Sequence, residues 1–282
     1  MTQSADSNDL LRNLIRHWAG GGEAAVSGSA DAAARVWPAL RRHHVEASLG
    51  ALIPAPVLTP DQTAAVCAAR DRTEGLLMEL ERILPGLEAA GCAPILLKGA
   101  GLALTVYPDP LVRWFADLDL LVPRDQLEKA CSRLEALGYR PAPSRTAWAW
   151  YDRSHFHRIL VGPRGSVVEL HWDLVPPGSV YGVDLAGLRA RVQAGRLGRQ
   201  ACRVSAPIDQ ILHAVYQNIA NGFVDLRRLL DLVILVRRLP PAQWPQVLQL
   251  ATEARLDRGL ELSLHIMKSI AGVAGPSLAY PR

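Results

Sequence analysis

Lysine is nearly missing from this chain. Of its 31 basic residues only Lys98, Lys129 and Lys268 are lysines, so arginine is the default cation and a lysine kept in an apolar setting calls for a reason. The four cysteines (Cys67, Cys92, Cys131, Cys202) lie far apart with no Cys-x-x-Cys pair, which argues against a thiolate zinc site or a disulfide framework. No stretch of about 18 uncharged apolar residues is present to span a bilayer, and residues 1–9 are polar, without a signal-like apolar region. The expected protein is therefore not a membrane protein, and a reducing cytoplasm is its expected location. No internal repeat or low-complexity segment is visible.

What is present describes an ordered protein: 282 residues, 49% hydrophobic and 21% charged, enough for two compact units and a well-buried core. A formal charge of +4 suits a small polyanionic substrate such as a nucleotide. The arginines are dispersed rather than run together, so nucleic-acid binding does not follow.

Three apolar stretches carry polar residues that packing alone would not need. In Asp117-Leu118-Asp119-Leu120-Leu121-Val122, an extended strand points Asp117 and Asp119 to one face and Leu118, Leu120 and Val122 to the other. Two adjacent carboxylates raise each other's pKa unless a cation lies between them. Hard oxygen ligands favour Mg²⁺ or Mn²⁺, ions that also bind triphosphate oxygens. In Val167-Val168-Glu169-Leu170-His171-Trp172, Glu169 shares a face with Val167 and His171 and supplies a third acid. Lys98 ends the run Ile95-Leu96-Leu97 and is followed by Gly99, Ala100 and Gly101, then a helix-compatible stretch. A small-residue turn opening a helix offers backbone N–H groups and a positive dipole end to phosphate, and an ammonium acts as a compact point charge.

Periodicity and breakers place these stretches in order. Residues 1–10 and the glycine-bearing 20–29 read as flexible. Residues 30–52 read as amphipathic helix broken at Pro38. Pro60-Asp61 opens a long helix, interrupted at Pro85-Gly86 and stopped by Gly91. A strand at 94–98 precedes a helix at 100–107, the Asp117 strand, and a helix at 125–137 that stops at Gly138. Strands are predicted at 147–151, 156–161 and 166–172, the last two joined by the turn Gly162-Pro163-Arg164-Gly165. Trp148, Trp150 and Trp172 read as sheet-packing residues, and His43 and His44 as helix-surface or interface residues rather than ligands. Beyond Pro176-Pro177-Gly178 the chain reads as helical to about residue 274, with Arg227 and Asp231 spaced to pair on one helix.

The order Leu-Lys-Gly, Arg113, Asp-x-Asp and Val-Glu-Leu-His-Trp resembles the bacterial uncharacterised nucleotidyltransferase family of the polymerase-β-like superfamily. Arg42-His43-His44-Val45 and Leu226-Arg227-Arg228-Leu229-Leu230-Asp231 resemble that family's flanking helical parts, so the resemblance covers roughly residues 10–240. The wider superfamily has Gly-Ser or Gly-Gly before the helix; Gly99-Ala100 here lacks that hydroxyl. The resemblance implies an α+β fold: a small mixed-sheet core (92–175) between an N-terminal helical part (30–91) and a C-terminal one (176–282), after a flexible 1–29. It implies Asp117, Asp119 and Glu169 as metal ligands and catalytic acids, with Lys98, Gly99, Ala100 and Arg113 toward the nucleotide. The implied reaction transfers NMP from an NTP, expected to be ATP, with Mg²⁺ or Mn²⁺, and releases pyrophosphate. The acceptor is open among a small molecule, a peptide, a protein hydroxyl and an RNA end. Phosphate transfer on the same fold and a non-catalytic nucleotide-binding or interaction module are the alternatives.

Overall fold

The computed structural model describes residues 2–20 and 29–276. Among these, eleven helices and a seven-stranded mixed sheet make an α+β fold. In chain order the elements begin with α1 (Thr2–Trp18), α2 (Ala30–Arg42), α3 (Pro60–Ala89), β1 (Ile95–Leu96), α4 (Lys98–Thr105) and β2 (Asp117–Leu121). There follow α5 (Leu127–Ala136), β3 (Arg140–Ala142), α6 (Trp148–Tyr151), β4 (His157–Val161) and β5 (Val167–His171). The remainder comprises α7 (Leu185–Ala190), β6 (Gln193–Leu197), β7 (Gln200–Val204), α8 (Pro207–Ala220), α9 (Leu226–Arg238), α10 (Trp244–Glu253) and α11 (Asp257–Ala271).

The sheet runs β3-β4-β5-β2-β1-β7-β6. At its centre β2 lies parallel to β5 with Asp119 opposite Glu169, while β1 lies antiparallel to β2 and parallel to β7. Alternation assigns the faces. Leu118, Leu120, Val168 and Leu170 pack beneath the sheet with α3 and α5, so Asp117, Asp119, Glu169 and His171 share the opposite face. The turn at Gly162–Gly165 makes β4 and β5 antiparallel, with Gly162 N–H donating to the Ser166 carbonyl at 2.7 Å.

Helix α3 shows how local chemistry sets an element. Thr59 and Gln62 form a reciprocal capping box, and Pro60 occupies the first turn, where its missing N–H costs nothing. Gly91, at φ 71°, ends it, with Cys92 N–H reaching the Leu87 carbonyl. Neither predicted proline break occurs. Helix α3 passes through Pro85 and α2 through Pro38, because Leu84, Leu87, Val36 and Leu40 on either side are fully buried and hold the backbone helical. Tertiary burial outweighs the roughly 3 kcal/mol penalty of an internal proline.

Four other expectations are corrected. Residues 2–10, expected to be flexible, lie in a helix: α1 covers Thr2–Trp18 and buries Leu14 and Ile15. The expectation for 20–29 falls almost wholly outside the described residues. Residues 147–151 form a 3₁₀ turn and the short helix α6 rather than a strand. There Trp148 is buried under the guanidinium groups of Arg145 and Arg158, while Trp150 is 62% exposed and packs on nothing in the sheet. The segment after 176 is not purely helical, since the hairpin β6–β7 extends the sheet and buries Cys202 and Val204 with it. The helical parts are also not separate: α1 and α2 share one core with α8, α9, α10 and α11, whereas α3 belongs to the sheet's core.

Glu79 on α3 ties that helix to the hairpin carrying Glu169. It accepts hydrogen bonds from Arg82, Tyr139, Arg164 and Ser166. Chiefly because of the Arg82 hydrogen bonds, and against the effect of burial, its pKa is lowered to about 2. A depressed carboxylate stabilises the fold above its unfolded pKa, and that stabilisation is lost as pH falls from about 4.5 toward 2. Glu79→Gln is expected to lose about 1.5–3 kcal/mol at pH 7 and to converge on the wild type near pH 2 in urea melts. An equal loss at both pH values would contradict the ionised network.

Candidate active site

The five polar residues of the three apolar stretches (Lys98, Asp117, Asp119, Glu169 and His171) meet on one sheet face. Lys98 Nζ donates to Asp119 Oδ1 at 2.6 Å and lies 3.9 Å from Glu169 Oε2. His171 Nε2 lies 2.8 Å from that same Asp119 oxygen and 3.1 Å from Glu169 Oε2. Since both partners are carboxylates, His171 is the donor and carries its proton on Nε2. Asp117 stands at the mouth of the strand, two residues before Asp119 on the same face. Lys98 itself has φ 40°, a left-handed backbone that a non-glycine residue adopts only under constraint. The close packing of Gly99 on Phe115 and of Gly101 on the Leu96 carbonyl supplies that constraint; a Cβ at either would come within 2.5 Å and 2.7 Å of those groups.

Electrostatics separates the two aspartates. Asp119 is fully buried, which disfavours its charge, yet Lys98 and His171 hold its pKa well below the ordinary carboxylate range. Asp117 lacks such partners. Burial first, then the charges of Asp119 and Glu169, push its pKa up to about 6. Burial lowers the charged form of Lys98, but Asp119, Glu169 and Asp117 together raise its pKa above the usual lysine value. Three carboxylates thus face one ammonium. This uncompensated negative charge, built from oxygen donors open to a cleft, fits a hard divalent cation.

The cleft above this face has a volume of about 170 Å³. Lys98, Gly99, Asp117 and Asp119 line one side; Arg227, Arg228 and Asp231 of α9 and His213 of α8 line the other. Both α9 residues left open by the sequence therefore reach the cleft, but they do not pair with each other. Asp231 is gripped by Arg113, with Nε–Oδ1 and Nη2–Oδ2 both 2.6 Å, and accepts the Tyr107 hydroxyl at 2.7 Å. Arg227 pairs with Asp225 at 2.7 Å and lies over the Trp114 ring, which stacks on His44. Arg228 has only the Gln217 carbonyl at 3.3 Å and Asp225 at 3.6 Å, and burial lowers its pKa.

Arg113, expected toward the nucleotide, lines the cleft while its guanidinium is bound to Asp231. It is 6% exposed, its guanidinium spans both oxygens of Asp231, and Nη1 donates to the Trp114 carbonyl. With those donors engaged it braces α9 against the segment leading into β2, and Arg228 is the guanidinium left with weak partners beside the cleft. His157, on β4 directly opposite His171, is a further residue that sequence reasoning passed over. Its signal was the period of two: 157 and 171 fall on the same face as Glu169 and Asp119 once the hairpin turn is fixed.

The model of the family described as "uncharacterised nucleotidyltransferase" matches residues 30–272. No curated protein matches the chain. Among solved structures, the solution structure of the antibiotic-resistance factor ANT(2'')-Ia is 11% identical, covering 71% of this chain and 91% of that one, with a TM-score of 0.40. The crystal structure of ANT(2'')-Ia with adenylyl-2''-tobramycin is 12% identical over 70% and 95% of the two chains, with a TM-score of 0.39. Among the described residues, no helix is long and apolar enough to cross a membrane.

The Arg113–Asp231 bridge gives a direct test of the site's frame. Removing one partner of a buried pair strands the other charge, so Asp231→Asn is expected to lose about 3–5 kcal/mol in urea denaturation. The double change Arg113→Met with Asp231→Leu is expected to recover most of that. A single-variant loss under about 1 kcal/mol would show that the pair does not carry the frame.

Proposed function

We propose, from the premise that this chain belongs to the uncharacterised nucleotidyltransferase family, that the cleft transfers NMP from an NTP to an acceptor hydroxyl or phosphate and releases pyrophosphate. One observation carries the reading: Asp119 sits directly opposite Glu169 on paired strands, with Asp117 on the same face and Lys98 against Asp119. A protein that only bound a nucleotide has no need of three acids there.

Asp117, Asp119 and Glu169 would hold divalent cations, Mg²⁺ or Mn²⁺ by their oxygen chemistry. When bound, such ions neutralise charge at the reacting phosphate and on the leaving pyrophosphate. The chain's own residues do the rest. The acceptor oxygen attacks the α-phosphorus, the bond to the β-phosphate oxygen breaks, and Glu169 accepts the acceptor's proton. Lys98, which lines the cleft beside Asp119, would direct its ammonium to the triphosphate, with Asp119 free to hold a cation. Arg228, held across the cleft with weak partners, joins Arg113 as a guanidinium for the phosphates. The first-turn amides of α4, which have no side-chain cap, add donors beside Gly99 and Ala100. The buried cleft positions the reactants and raises the strength of each charge–charge contact.

Incubation with each α-labelled NTP, Mg²⁺ and cell extract tests the reading and identifies the acceptor by what retains label. Label from the γ-position alone would mean phosphate transfer instead. Asp117→Asn and Asp119→Asn are expected to abolish transfer, and Glu169→Gln to slow the chemical step by about 10²–10⁴-fold with NTP binding kept. Lys98→Ala is expected to weaken triphosphate binding about ten- to a hundred-fold and the matching monophosphate much less. Near wild-type turnover in either aspartate variant would remove the acids from the reaction.

A further inference from the structure

We infer that His157, Glu169 and His171 form a binding site for a divalent transition-metal ion, distinct in chemistry from the hard-cation site of Asp117 and Asp119. The inference shares Glu169 with the proposed transfer site and does not depend on that transfer taking place.

The three residues are brought together by sheet register. His157 and His171 are cross-strand partners on β4 and β5, and Glu169 precedes His171 by two residues, so all three side chains rise from one face. Their nearest donor atoms lie within 4.8 Å of one another. The two imidazoles reach different oxygens of the same carboxylate: His171 Nε2 is 3.1 Å from Oε2 and His157 Nε2 is 3.8 Å from Oε1. Donors bound to a tetrahedral ion at about 2.0–2.1 Å stand about 3.4 Å apart, so the two histidine–carboxylate distances need change only by tenths of an ångström and the widest separation must close by up to about 1.4 Å.

The bland alternative is a pair of imidazoles that merely orient carboxylates. His171 is 1% exposed and yet its Nδ1 has no hydrogen-bond partner among the described residues, and His157 Nδ1 is also buried and unpartnered. With Nδ1 uncommitted in both rings, each imidazole can carry its proton there and present the Nε2 lone pair to an ion. His157 moreover stands 3.8 Å from Glu169 and 3.5 Å from the Tyr151 hydroxyl, too far for a firm bond to either. It is close to a carboxylate, aimed at it, and held by neither partner, which is the arrangement of a ligand waiting for an ion. The Phe156 ring packs against both imidazoles, with centroids 5.1 and 5.6 Å away, and gives the site an apolar flank.

Two nitrogens and one carboxylate select the ion class. Imidazole suits Zn²⁺, Co²⁺, Fe²⁺ or Ni²⁺, whereas Mg²⁺ prefers an all-oxygen shell. Binding at Nε2 of His171 requires its proton to move to Nδ1, the ring nitrogen that has no partner among the described residues.

The test uses tag-free full-length protein and Co²⁺ alone, without nucleotide. Wild type is expected to bind one Co²⁺ with a visible ligand-field band. His157→Gln is expected to weaken that binding at least tenfold, while Asp117→Asn leaves it within about threefold. Zinc-edge X-ray absorption of the wild type is expected to show scattering from two imidazoles, which keeps the question decidable if His157→Gln does not fold. No Co²⁺ binding by wild type, unchanged affinity in His157→Gln, loss in Asp117→Asn alone, or a zinc site without two imidazoles would each overturn the inference. The labelled-NTP assay with Mg²⁺ is scored separately, so failure of the transfer reading leaves this result standing and the reverse also holds.

Discussion

Three carboxylates on one face of a sheet, compensated by a single ammonium, are the constraint around which this protein is arranged. Such a face would not persist in an ordinary packed interior, since buried like charges raise one another's pKa and favour neutralisation. Here Asp119 stays ionised because Lys98 and His171 both touch one of its oxygens, while Asp117, lacking that help, is pushed up to about 6. The rest of the structure fixes the two strands that carry this arrangement. Leu118, Leu120, Val168 and Leu170 anchor the same two strands from below, so neither strand can slip by one residue without exchanging its leucines for its acids.

The second anchor is on the far side of the cleft. Arg113 and Asp231, 118 positions apart in the chain, are locked together under Tyr107, and this fixes α9 against the lead-in to β2. The cleft is therefore bipolar: acids on the sheet, guanidinium groups of Arg227 and Arg228 on the helix. A polyanion that also binds cations matches both walls at once, and a nucleoside triphosphate has that character.

Much of this was legible in the sequence because strand periodicity is strict. Once Leu118 and Leu120 are assigned to the core, Asp117 and Asp119 have only one face left, and Glu169 follows from Val168 and Leu170 in the same way. The readings that failed depended on contacts distant in sequence. The pairing of Arg113 with Asp231 overrides the i, i+4 spacing that suggested Arg227. Helices α2 and α3 run through Pro38 and Pro85 because of burial that a propensity rule does not contain. The hairpin β6–β7 is nearly invisible as sequence, since its exposed positions are Gln, Ala and Arg and only Leu197, Cys202 and Val204 face the core. Conversely, Trp148-Ala149-Trp150-Tyr151 has the composition of a strand and folds as a helical turn.

The most direct test of the central claim is a crystal structure with Mn²⁺ and a non-hydrolysable NTP analogue, read by anomalous scattering. The account predicts a manganese peak bound by Asp117 and Asp119, with the Lys98 ammonium moved from Asp119 to the triphosphate. A nucleotide seated elsewhere, with no manganese at either aspartate and the Lys98–Asp119 pair intact, would contradict it.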